Sequence, residues 1–268
     1  MTKHITTRSM ASAAALTASI CAGAFVSGTA QAAEAAKGWE TVANAGATLT
    51  RGNSETFLGT LGVNSQRKWS KDEALLGASA GYGENTARRP GLSDDHNLTD
   101  QFVKGYGQWN HLFSERLYGG LRVDGMYDKI AGIDYRVTVS PLIGYYLIKD
   151  AKTTLAIEAG PGLVMENLSG KDSKGREIGA EQYITLRIAE RFEHKFSDKA
   201  KVWQSAEYLP RLSDFANDYV INGEIGASAA ITSSVDLRAV LQDTYRSLPP
   251  GGRKNNDLKL MVGVGYRF

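Results

Sequence analysis

Three histidines lie beyond the first few residues of the chain, and the acids near them are the first place to look for chemistry. His96 sits in the run Asp94-Asp95-His96-Asn97, where an Asp–His pair could activate water or bind a metal with help from Asp214 or Asp218. A solvated polar loop is the plainer reading of that run. His111 and His194 each stand two residues before an aromatic, Phe113 and Phe196, and neither has a serine or aspartate spaced to form a nucleophile relay. An interfacial position suits them better than catalysis, and no catalytic residue, cofactor or metal site is expected.

The second set of reactive types is larger and more regular. Arg122, Asp124, Arg136, Glu158, Glu166, Arg187, Arg191, Glu193, Glu207, Glu224, Asp236, Arg238, Lys259 and Arg267 all fall at alternate positions within apolar stretches. A period of two puts side chains on opposite faces of a β-strand, so each charge lies opposite an apolar row. Both signs are present, and the set could line a polar passage with mild ion selectivity. Arg122, Arg136, Arg187 and Arg238 are the residues expected to narrow such a passage, opposed by Glu158, Glu224 and Asp236. They could equally pair with one another in a filled lumen.

Twelve strands would carry these positions, over 39–51, 55–69, 74–86, 101–113, 116–128, 134–147, 153–166, 182–196, 200–210, 218–231, 235–246 and 257–268. Most run well past the ~5–6 residues usual in globular sheets, and a tilted strand needs about 9–11 to cross a bilayer. The last is the clearest. Leu258, Leu260, Val262, Val264, Tyr266 and Phe268 alternate with Lys259, Met261, Gly263, Gly265 and Arg267. The fourth is the weakest, because Gly105 and Gly107 dilute its apolar face.

The connections alternate in length. Short ones (Trp69-Ser70-Lys71-Asp72, Phe113-Ser114-Glu115-Arg116, Phe196-Ser197-Asp198-Lys199) fall on one rim, and long polar ones (Glu84–Asp100, Asn167–Glu181, Pro210–Asp218, Arg246–Asn256) on the other. Transmembrane barrels show that asymmetry, with short periplasmic turns and longer external loops. The expected fold is therefore all-β: a transmembrane antiparallel up-and-down barrel of about 12 strands, closed by the C-terminal strand, over residues 38–268. Tyr266 and Phe268 are its expected assembly signal.

Ahead of the barrel, Lys3 and Arg8 precede an Ala-rich apolar run, and Ala30-Gln31-Ala32 has the small-x-small form of a secretory cleavage site. Residues 1–32 are expected to be a cleaved signal peptide and 33–37 a short lead. Its removal takes away two basic residues and no acid, leaving equal numbers of each from the original 31 and 29. It also removes Cys21, so the exported chain has no disulfide to staple it. A balanced charge excludes a nucleic-acid protein on electrostatic grounds.

Two local oddities carry expectations of their own. Glu190 falls in the apolar row of the eighth strand with Ile184, Leu186, Ile188 and Phe192, so a bulge is expected to turn it inward, the alternative being a contact between protomers or a functional position. Pro141 and Pro161 lie nearly opposite one another in the sixth and seventh strands, and neither can donate to a ladder. A local gap in the hydrogen bonding is expected there, either a pair of bulges that tighten the curvature or a weak seam where the wall can open to a lipid-soluble ligand.

With the layout in view, the chain resembles a family of proteobacterial proteins of unknown function, the salt-induced outer membrane or YdiY-like proteins. The resemblance runs from about Gly38 to Phe268. It rests on Trp39, Gly46, the Gly52-Asn53-Ser54 turn, the Trp69-Ser70 turn and the closing Gly265-Tyr266-Arg267-Phe268. It implies an outer-membrane barrel of a Gram-negative bacterium and a link to salt or osmotic conditions, and it supplies no catalytic residues. The expected partners are outer-membrane lipid, the barrel-assembly machinery and small solutes or ions. Three functions stay open at this point: a narrow channel, a structural barrel with a plugged lumen, and a surface enzyme or receptor built on the long loops.

Overall fold

The computed structural model describes residues 38–50, 54–87, 95–171, 177–249 and 255–268. Twelve strands follow one another in chain order: β1 (Glu40–Thr50), β2 (Ser54–Lys68), β3 (Asp72–Ala87), β4 (Asp95–Leu112), β5 (Leu117–Asp128), β6 (Ile133–Lys149), β7 (Thr153–Lys171), β8 (Glu177–Ser197), β9 (Ala200–Pro210), β10 (Tyr219–Ala230), β11 (Val235–Arg246) and β12 (Asn256–Arg267). Each pairs antiparallel with its sequence neighbours, and β1 pairs with β12 from Val42 opposite Arg267 to Gly46 opposite Gly263. The sheet is thus a closed barrel with no free edge. In hydrocarbon, closure is what satisfies every backbone N–H and C=O. The predicted leader, 1–32, and lead, 33–37, lie outside the described residues.

Alternation decides which way each wall faces. In β12, Leu258, Leu260, Val262, Val264, Tyr266 and Phe268 are exposed on the outside while Lys259 is buried inside. The same inversion holds round the barrel. Leu237 and Leu241 of β11 face out while Asp236 and Arg238 are buried, and Ile221 and Ile225 of β10 face out over buried Glu224. Two aromatic belts bound this apolar band. On the short-turn rim Trp39 meets Trp69, His111 lies between Trp109 and Phe113, His194 packs on Phe196, and Tyr266 on Phe268. Tyr208, Phe215, Tyr219 and Tyr245 form a run on the opposite rim.

Three strands reach beyond their predicted ends. β4 begins at Asp95 rather than near 101, β7 runs to Lys171, and β8 starts at Glu177. The predicted loops Glu84–Asp100 and Asn167–Glu181 are therefore largely hairpin arms, paired from Glu84 opposite Leu98 and from Asn167 opposite Ala180. Arms beyond the apolar band have no face held against lipid, so their polar and apolar residues need not alternate and the period-two signal fades.

The two oddities divide. The β6–β7 ladder is interrupted between Val139 opposite Leu163 and Ile143 opposite Ala159, and the register centres the gap on Pro141 and Pro161. The expected bulge at Glu190 is absent. Glu190 pairs in register with Ile157 on one side and Ala206 on the other, and the irregularities of β8 lie elsewhere. Its side chain stays on the outer face, where Gln204 Nε2 donates to its Oε1 at 2.8 Å. The neighbouring strand meets the need that a bulge would have met.

Candidate functional site in the barrel lumen

The interior is organised about Glu158 of β7, whose side chain has no exposed surface. Its Oε1 accepts from Gln108 Nε2 at 3.0 Å, Tyr118 Oη at 2.8 Å and Arg191 Nη2 at 2.6 Å. Its Oε2 accepts from Arg187 Nη1 at 2.8 Å. These donors come from β4, β5 and β8, so the carboxylate ties the walls together across the lumen. Arg187 also meets Glu207 on β9, which accepts at its other oxygen from Asn222 Nδ2 at 3.0 Å. Arg122 closes the layer by holding Asp124 at 2.6 Å, donating to Gln108 Oε1 at 3.2 Å and lying 4.4 Å from the Tyr106 ring. A buried carboxylate is tolerated when cations and donors replace its water, and breaking one such pair costs roughly 3–5 kcal/mol.

Smaller groups line the rest of the wall. Glu224 accepts from Trp203 Nε1 and Gln242 Nε2, each at 2.7 Å. Asp236 binds Arg238 within its own strand, and Arg267 stands 3.8 Å from the same carboxylate at the short-turn rim. Lys259 reaches Asp100 at 2.8 Å, joining β12 to β4, with the Phe102 ring beneath the ammoniums of Lys259 and Lys104. Glu193 binds Lys201 at 2.9 Å, and Arg136 binds Glu166. Toward the long-loop rim Arg211 pairs with Glu181 and Asp218 and stacks on Tyr183.

Large aromatics fit inside because glycines on the next strand leave them room. A Cβ on Gly226 would fall 2.1 Å from the Trp203 ring, and one on Gly144 would fall 2.2 Å from Tyr118. The rings lie against the wall and fill space that would otherwise be open. Among the described residues, three cavities adjoin the Glu158 layer. One of about 130 Å³ is lined by Lys104, Arg238 and Lys259 with Glu224 and Tyr106. Another, of about 100 Å³ toward the long loops, is lined by Arg136, Arg187, Arg211 and Arg246 with Tyr183. The third, about 30 Å³, lies on the short-turn side by Glu73, Tyr146 and Arg191.

All eleven residues expected to line the lumen sit on the inner face. Arg122, Glu158, Arg187, Glu193, Glu224, Asp236 and Arg238 are buried there, and Asp124, Arg136, Arg191 and Glu207 are partly so. The structure brings Arg122, Asp124, Glu158, Arg187, Arg191 and Glu207 into one network and leaves Arg136, Glu193, Glu224, Asp236 and Arg238 in separate pairings. Gln108, Tyr118, Asp100, Lys104, Tyr146 and Trp203 belong to the interior but were not among the expected residues. Tyr146 and Trp203 could have been found from their position opposite Tyr145 and Val202 in the two-residue alternation. Outside the lumen, His111 Nδ1 lies 3.0 Å from Asp72 and His194 Nδ1 lies 2.9 Å from Thr153, both within the short-turn belt. Asp94 lies outside the described residues, and with it the arrangement of the Asp94-Asp95-His96 side chains.

The profile of a family described as "Protein of unknown function, DUF481" matches residues 43–268. No curated protein matches. Among solved structures, the NanC porin is 10% identical with a TM-score of 0.52, covering 85% of this chain and 100% of its own. The translocator domain of the autotransporter NalP from Neisseria meningitidis is 17% identical with a TM-score of 0.47, covering 86% and 87%. The KdgM porin is 8% identical with a TM-score of 0.46, covering 85% and 99%. The likeness to the NanC porin is one of fold: this chain is a barrel of the outer-membrane type.

Proposed function

The chain belongs to the DUF481 family, and from that premise and the lumen geometry we propose that it is a narrow outer-membrane channel for ions and small polar solutes. Its constriction is the side-chain layer around Glu158. One observation carries the reading: the layer is built from side chains of β4, β5, β7, β8 and β9, with a cavity on either side of it. Side chains change rotamer within nanoseconds where space permits, whereas a plug of backbone would have to unfold. Mixed charge gives a weak preference among ions rather than a strict filter. Export by the leader and insertion through Tyr266 and Phe268 belong to the same reading. So does the link to salt conditions, which rests on the family resemblance alone.

The test is conductance of the refolded barrel in a planar bilayer, for the native protein and for Arg122→Ser with Arg187→Ser. Removing the two guanidiniums leaves Asp124, Glu158 and Glu207 facing the constriction. Conductance should rise and selectivity should move toward cations.

The burial of Glu158 favours a second reading, a structural barrel with a sealed lumen. Four donors hold that carboxylate, and none of its surface is open. Electrical silence in both proteins, despite a folded barrel, would select it.

A further inference from the structure

Glu190 has no role in the lumen. It is an acid on the outer wall, six residues along β8 from the belt residue Phe196. At ~3.3 Å per residue and about 40° of tilt, that places it roughly 15 Å into an apolar band about 25 Å tall. Ionisable groups at such depth are costly to leave bare and mark functional positions. Gln204 satisfies Oε1 at 2.8 Å, and among the described residues Oε2 has no hydrogen-bond partner.

The wall around it is concave. Ala159 and Ala206 lie between Ile143, Tyr145, Ile157, Ile188, Tyr208 and Ile221 in a depression of about 600 Å³ that is open to the membrane and also lined by Glu190. That volume lies within the ~300–1,000 Å³ range of small-molecule sites. The depression adjoins the Pro141–Pro161 gap, since Ile143 opposite Ala159 is the first pair after it.

A second copy of the chain fits the groove poorly for two reasons. Across a twofold axis the groove would face itself and leave a void. The outward-facing Arg67 lies over the Trp69 ring in the short-turn belt, so a copy in the same membrane orientation would not bring it to the depth of Glu190. We infer that the groove is a binding site, on the membrane side of the barrel, for a lipid-soluble amine. Its ammonium pairs with Glu190 beside Gln204, and its apolar body lies over Ala159 and Ala206. The site is independent of whether the lumen conducts.

The probe is dodecylamine carrying a diazirine, irradiated with the protein in dimyristoylphosphatidylcholine vesicles and mapped by peptide mass spectrometry. The same diazirine on dodecanol is the control. The amine should label the Ile143–Ala159 and Ile188–Tyr208 segments in preference to the alcohol. Glu190→Leu should lower amine labelling there about tenfold and leave alcohol labelling unchanged. Glu190→Gln, which keeps the shape without the acid, should also lose the preference. Heat-modifiable migration verifies that each variant is folded. Equal labelling by amine and alcohol, or equal labelling of the native protein and Glu190→Leu, overturns the inference and leaves a groove filled by lipid chains. Disulfide-linked dimers of an Ala206→Cys variant would overturn it in favour of a contact between copies.

Discussion

At the scale of single residues, Glu158 is the position on which the interior depends. Replacing it with alanine would leave Arg187 and Arg191 facing each other without the carboxylate that lies 2.8 and 2.6 Å from them. Arg187 would keep Glu207 while Arg191 would lose its carboxylate, and breaking that buried pair should destabilise the barrel by roughly 3–5 kcal/mol. Urea-induced unfolding in detergent, followed by tryptophan fluorescence, would register the loss. Glu158→Gln retains an acceptor and should sit between alanine and the native protein. The network was partly legible in advance, because each charge stands opposite an apolar residue of its own strand. Its centre was not. Gln108 and Tyr118 are neutral, so an inventory of charges passes over them, although they supply two of the donors to Glu158. Lys104 and Asp100 stayed hidden because Gly105 and Gly107 remove the apolar row that would have fixed the register of β4.

At the scale of elements, the β6–β7 ladder lapses in its middle. The lapse falls around Pro141 and Pro161, while β5–β6 and β7–β8 pair through the same positions, as in Leu121 opposite Pro141 and Pro161 opposite Leu186. Behind the gap Ser140 and Thr185 keep buried hydroxyls without a hydrogen-bond partner among the described residues. Amide exchange should therefore be faster at Ser140, Leu142, Gly160 and Gly162 than at Gly226 and Val240, which face each other in the unbroken β10–β11 ladder. Equal protection at the two places would show that the gap has no energetic consequence. Here the sequence was informative, since proline carries its backbone consequence wherever it stands. The Glu190 expectation failed for the complementary reason. Its solution, Gln204, lies on another strand, and periodicity within β8 says nothing about a diagonal neighbour. The ends of β4, β7 and β8 were illegible in a third way, because polar arms in water obey no alternation.

At the scale of the whole molecule, closure and the lumen set what the protein can do. Phe268 N donates to Thr41 O at 3.1 Å, so the final residue still takes part in the β12–β1 seam. If Tyr266 and Phe268 are the assembly signal, deleting Phe268 should leave the protein in the periplasm rather than as a surface-exposed, heat-modifiable barrel. Normal assembly of that deletion would remove their proposed role. Twelve strands at ~4.8 Å spacing and about 40° of tilt give a backbone diameter of roughly 24 Å, and inward side chains narrow it from every wall. The measurement that bears most directly on the central claim is single-channel recording of the native protein, refolded and inserted into a planar bilayer. The account predicts small, discrete current steps with weak ion preference, enlarged when Arg122 and Arg187 are both replaced by serine. A folded, inserted barrel that stays silent in both forms would contradict it.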